Sequence, residues 1–144
     1  MRVDFYQLTR DPAELVLPAL ARATWTAGER MLVVSDDPAQ LGRISAALWT
    51  RVPDSFLAHG TAGGAHDARQ PILLGADVQA GNGARYCAIA DGQWREAEGM
   101  TRVFLLFPPE RIDDARQTWR LLGQREGVER RYWRQDGAKW VEGP

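Results

Sequence analysis

Two short stretches, Arg30–Ser35 (RMLVVS) and Arg102–Phe107 (RVFLLF), constrain this chain more than anything else in it. Each is a near-continuous apolar run of strand length, so side chains on both faces of the strand must be covered. Parallel strands sandwiched between crossover helices meet that condition. Helical patterns stand where crossovers are needed. The first is opened by Asp11 as N-cap, Pro12 at the first helical position and Glu14 in a capping-box-like arrangement, and Gly28 ends it. Pro18 lies inside, which predicts a kink or a late start. The second is capped by Asp36-Asp37-Pro38, carries Leu41, Ile44, Ala47 and Leu48 at helical spacing and ends near Trp49. The third opens at Pro108-Pro109, aligns Ile112, Ala115, Trp119 and Leu122, and ends at Gly123.

Further strands are expected at Val3–Leu8, Pro71–Gly75 and Arg85–Asp91, with residues 50–70 as loop. At the end, Arg130–Gln135 and Ala138–Val141 flank Asp136-Gly137 and read as a hairpin with a type I′ turn, which pairs Trp133 with Trp140. The order predicts one α/β domain over residues 1–144, three-layered, with a mainly parallel sheet.

Composition narrows the function classes. The chain has 144 residues and a formal net charge of −1, so as a whole it is no polyelectrolyte built for phosphate backbones. Sequence-specific DNA binding is not expected. No apolar run approaches the ~18 residues of a membrane span, and the N-terminus enters a strand pattern directly, which points to the cytoplasm. Charge is unevenly placed: between Arg116 and Arg134 six arginines face two glutamates, a patch able to recruit an acidic partner.

Little in the sequence speaks for catalysis or a cofactor. The first strand-to-helix turn, Leu8-Thr9-Arg10-Asp11-Pro12, has no glycine, and Pro12 has no N–H to offer a phosphate. His59 and His66, even with Asp67, lack further ligands at zinc-like spacing, so no metal is expected. Cys87 sits in an apolar strand as a buried thiol. Asp36-Asp37 follow a strand, where α/β enzymes place acids. An alternative reading is therefore a small nucleotide-binding protein or enzyme using Asp36, Asp37 and His59. Trp25, Trp119 and Trp133 fall on apolar faces and are expected in the core. Trp49 differs: with Phe56 it flanks the proline turn at Pro53 and can present an apolar groove with a basic rim.

Phe5-Tyr6-x-Leu8, Trp25-x-x-Gly28-x-Arg30, Leu48-Trp49-x-Arg51-x-x-x-Ser55-Phe56-x-x-His59, Pro108-Pro109-Glu110, Ala115-Arg116-x-x-Trp119-Arg120 and Tyr132-Trp133 occur in that order. This set resembles the DNA polymerase III chi subunit family. The resemblance implies a fold similar to mononucleotide-binding proteins without the phosphate loop, and a non-catalytic subunit of the bacterial polymerase holoenzyme. It implies two partners: the psi subunit, which tethers chi to the clamp loader, and the acidic C-terminal tail of single-stranded DNA-binding protein. It assigns Trp49 and Arg116 to one tail-binding surface, and Phe56 to the surface for psi or a competing helicase. Where the family has a lysine this chain has Ile112, and Arg111 or Arg120 would supply the charge.

Overall fold

The computed structural model describes residues 1–50 and 57–143. Strands β1 (Arg2–Gln7), β2 (Met31–Val34), β3 (His59–Thr61), β4 (Ile72–Gly75), β5 (Tyr86–Ile89), β6 (Arg102–Phe107), β7 (Glu129–Asp136) and β8 (Lys139–Glu142) form one sheet, in the order β3-β4-β2-β5-β6-β1-β7-β8. All neighbours are parallel except β7 and β8. Helices α1 (Ala13–Thr26), α2 (Pro38–Thr50) and α3 (Ile112–Gly123) supply the outer layers. The three-layer, mainly parallel α/β architecture is as the apolar runs require.

Alternate residues of each strand feed two cores. On the front face Tyr6, Val33, Leu74, Ala88 and Phe104 meet Val16 and Leu17 of α1 and Ile44 and Leu48 of α2. On the back face Phe5, Leu32, Leu73, Cys87 and Leu105 meet Ala115 and Leu122 of α3. The split follows from connection geometry. β1 to β2 and β2 to β3 move one way along the sheet, and β6 to β7 moves the other way. Right-handed crossovers travelling in opposite directions land on opposite faces.

Several local expectations are corrected. Helix α1 starts at Ala13 and continues through Pro18, which is buried inside it; there is no late start. Its N-cap is Pro12, not Asp11. The chain before it is instead held by Gln135, whose Oε1 accepts the backbone N–H of Thr9, Arg10 and Asp11 while its Nε2 donates to Asp11. Strand β3 lies in the stretch read as loop. Its three residues are too few to display an alternation, and it exists because β4 offers it an edge.

The final hairpin turns one residue later than expected. Asp136 pairs with Lys139 and Gln135 with Trp140, so Gly137 and Ala138 form the turn. Gly137 has φ +60° and Ala138 is not left-handed, a type II′ pattern that asks positive φ of the first central residue alone. A turn centred on Asp136-Gly137 would have placed Asp136 in the left-handed region. The observed register sets Arg134 opposite Val141, whereas a turn at Asp136-Gly137 would have opposed Arg134 to Lys139. Trp133 and Trp140 become diagonal neighbours on the front face.

Candidate functional site

Helix α3 holds the arginines that the sequence singles out. Ala115, Thr118 and Leu122 are buried, and Trp119 packs edge-on to Phe5 at 5.2 Å. Ile112 packs against the same back-face core, so its position belongs to the inner stripe. Arg116 and Arg120 project from the opposite flank and are exposed. The ion pair of Arg116 with Asp113 spans 3.8 Å, and that carboxylate is 88% exposed. Arg111 is held at 3.2 Å by Asp114.

The six arginines are not equally available: Arg125 and Arg130 are engaged within the chain, and Arg131 lies on the other face of the sheet. Arg125 forms a bidentate pair with Glu96, at 2.7 and 2.8 Å. Arg130 lies over the Trp119 ring at 4.2 Å and donates to the Trp119 carbonyl that closes α3. Arg131 belongs to the front face and contacts Glu129 and Glu142. Arg116, Arg120 and Arg134 lie on the back face, beside the engaged Arg130. On strand β7, Tyr132, to which the sequence reading gave no role at the site, and, two residues on, Arg134, which it counted in the basic stretch, share the back face with Gln7. Burial pushes the Tyr132 phenol up, and the nearby Arg116 charge opposes that push. The Tyr132 hydroxyl donates to Gln7 Oε1. The period-two pattern of β7 carried this signal, once the strand's place beside β1 is known.

The front face carries a different surface. Trp49 closes α2, is 51% exposed, and lies 4.5 Å from the ring of His59. Trp25 is corrected from core to surface, at 58% exposure. Four-residue steps advance about 40° around a helix, so from Leu17 through Ala21 to Trp25 the side chain rotates off the core. Trp25 instead walls an apolar cavity of about 140 Å³ with Leu57, Ala58, Pro71 and Ile72. The expectation for Phe56 lies outside the described residues.

The structure does not bring Trp49 and Arg116 together. Trp49 is on α2 and Arg116 on α3, and the sheet stands between these helices. A single pocket with a Trp49 floor and an Arg116 rim is therefore ruled out by the direction of the crossovers.

The enzyme-like constellation also comes apart. His59 stands level with Met31 through Ile72, at the start of the strands, whereas Asp36 follows the end of β2. Five residues of strand separate the two levels by roughly 16 Å. Both His59 nitrogens have partners, Ser45 Oγ at 2.8 Å and the Leu57 carbonyl at 2.9 Å. Asp37 accepts the Ala39 N–H and caps α2, and Asp36 accepts from Gln93. In the same crevice Asp91 holds Arg95 through both oxygens and accepts the Asp36 and Gln93 N–H groups. Burial raises the Asp91 carboxyl, but these donors outweigh it and leave the group below its ordinary value. Cys87 is buried, and desolvation pushes its thiol up to about 12.

The sequence profile of the family described as DNA polymerase III chi subunit, HolC, matches residues 1–129. The chain belongs to the DNA polymerase III chi subunit family. It is similar to the DNA polymerase III subunit chi of Escherichia coli (strain K12), with 31% identity over 77 residues, or 49% of this chain and 52% of that protein. The chain thus matches about half the length of this curated relative. A chi subunit is an accessory component of a polymerase complex that serves DNA replication. The chi profile stops where β7 begins, so most of the β7–β8 hairpin, with Trp133 and Trp140, lies past the matched residues. No helix among the described residues is long and apolar enough to cross a membrane.

Proposed function

We propose that this chi-family chain is a non-catalytic, cytoplasmic adaptor with two docking surfaces on opposite faces of its sheet. The back surface, Arg116 and Arg120 with Arg134 and Arg111 beside them, takes the acidic C-terminal tail of single-stranded DNA-binding protein. The front surface, Trp49 and the Trp25 cavity, takes the psi subunit, the partner to which the family resemblance also assigns Phe56. The observation that supports this reading most is the weak internal pairing of Arg116. Its 3.8 Å contact with a solvated aspartate leaves a planar donor fork available for a carboxylate. Ile112 is turned inward, so Arg120, one turn beyond Arg116, supplies the second charge. On the front, Trp25 and Trp49 are each more than half exposed and offer the large aromatic anchors that protein interfaces use.

Separate surfaces suit an adaptor, because both partners can bind at once. A disordered acidic tail loses conformational entropy on docking, so micromolar affinity, about −8 kcal/mol, is the natural scale. Co-precipitation with full-length single-stranded DNA-binding protein and with a form lacking its last residues tests the reading. Retention of the first and loss of the second is expected, and adding psi should not displace the retained protein. Equal retention of both forms would overturn the tail assignment.

A further inference from the structure

Three positions put glycine directly after an asparagine or aspartate: Asn82-Gly83, Asp91-Gly92 and Asp136-Gly137. Such pairs share one reaction. The main-chain nitrogen of the glycine, uncrowded by any side chain of its own, bonds to the side-chain carbonyl carbon before it and closes a five-membered succinimide. Ammonia leaves when that residue is asparagine, and water when it is aspartic acid. Water then opens the ring at either carbonyl. Opening at the former main-chain carbonyl leaves isoaspartate, in which the chain runs through the side-chain carbon and is one atom longer. From aspartate the whole sequence loses and regains one water and uses no oxidant or reductant.

By residue type Asn82 should react first, because a neutral amide is a better electrophile than an ionised carboxylate. The fold reverses that order. Asn82 is 2% exposed, its Nδ2 donates to the Met31 and Gln70 carbonyls, and its Oδ1 accepts the Ala84 N–H. Its side chain cannot turn to the Gly83 nitrogen without breaking these bonds. Asp91 is 8% exposed, is clamped by Arg95 through both oxygens, and accepts the N–H groups of Asp36 and Gln93. The backbone beside it is crowded too, since a Cβ placed on Gly92 would lie 3.2 Å from Phe107 Cβ.

Asp136 has none of these restraints. It is exposed, and among the described residues its carboxylate takes no hydrogen bond or ion pair and the Gly137 N–H makes no hydrogen bond. A Cβ placed on Gly137 would meet nothing within 4 Å. Nucleophile and electrophile therefore stand free together, at the tip of the β7–β8 hairpin.

We propose that Asp136 is a modification site, which isomerises to isoaspartate in the folded chain while the fold protects Asn82 and Asp91. The product carries a free α-carboxylate on a side branch, the group that isoaspartate-specific carboxyl methyltransferases esterify. The site is independent of the adaptor reading.

The full chain is aged at neutral pH, folded and in urea, then digested. Isoaspartate is located by electron-transfer mass spectrometry and counted by methylation with an isoaspartate-specific carboxyl methyltransferase. In the folded chain it should accumulate at 136 at least ~10-fold faster than at 82 or 91, because protected sites react only through local opening. In urea Asn82 should lead. Asp136→Glu, which would have to close a six-membered ring, should remove the methylation of the folded chain with an unchanged melting curve. Modification of the folded chain at 82 or 91 as fast as at 136 would overturn the proposal. So would an absence of isoaspartate at 136 over a period that converts Asn82 in urea.

Discussion

Arg116→Ala separates binding from folding. The Arg116 side chain is 60% exposed, and its partner Asp113 lies 3.8 Å away and is 88% exposed. A solvated pair of this kind contributes about 0–0.5 kcal/mol, so the melting temperature should move by no more than about 2 °C. Against a peptide carboxylate the same guanidinium makes a charge-assisted hydrogen bond whose loss costs roughly 1.5–3 kcal/mol, or about 10- to 150-fold in Kd. Calorimetry with a synthetic acidic tail peptide at low and physiological salt reads both the loss and its screening over ~8–10 Å. Arg116→Lys should fall between, since it keeps the charge without the fork. Trp49→Ala should leave tail affinity within about twofold, because the sheet separates it from α3. Unchanged affinity in Arg116→Ala would refute the back-face site. A loss in Trp49→Ala as large as in Arg116→Ala would move the tail to the front.

Asp4→Asn removes the buried partner of Arg2, Arg102 and Trp133 and should destabilise the chain by about 3–5 kcal/mol in urea unfolding; a change under about 1 kcal/mol would sink the view of Asp4 as the hub of that network. Burial raises the Asp4 carboxyl, but the Arg2, Trp133 and Arg102 donors outweigh it and hold the group below its ordinary value. Its contribution is therefore present above the unfolded pKa of about 3.9 and is lost as pH falls through the lower folded value, so the parent and Asp4→Asn should converge in stability in strong acid. Trp25→Ala should weaken psi binding by about 2 kcal/mol or more in a surface-binding assay, with little change in melting, because its ring walls the cavity from outside the core. Gly137→Ala should cost about 1–2 kcal/mol of thermal stability through the positive φ of the hairpin turn, and a neutral result would argue against the type II′ turn.

Much of the architecture is legible locally. The runs at Met31–Val34 and Arg102–Phe107 show no alternation because both of their faces are covered, and they mark buried parallel strands without reference to anything distant. The stripe from Ile112 to Leu122 fixes which flank of α3 turns inward, and so leaves Arg116 and Arg120 facing out. The missing glycines between Leu8 and Pro12 remove the phosphate loop. Other features depend on partners far along the chain. Strand β3 exists because of β4, Trp25 is exposed because α1 rotates past the end of its core stripe, and Gln135 replaces Asp11 in organising the turn before α1 from more than 120 residues away. The larger matter of which surface each residue joins was never in the local pattern. Periodicity states which side of a helix is buried, but not which side of the sheet the helix occupies. Here β1-to-β2 and β6-to-β7 run in opposite directions along the strand order, and a constant right-handed crossover turns that reversal into opposite faces. Trp49 and Arg116, fitting partners by residue type, are therefore parted by the sheet that both helices need for burial.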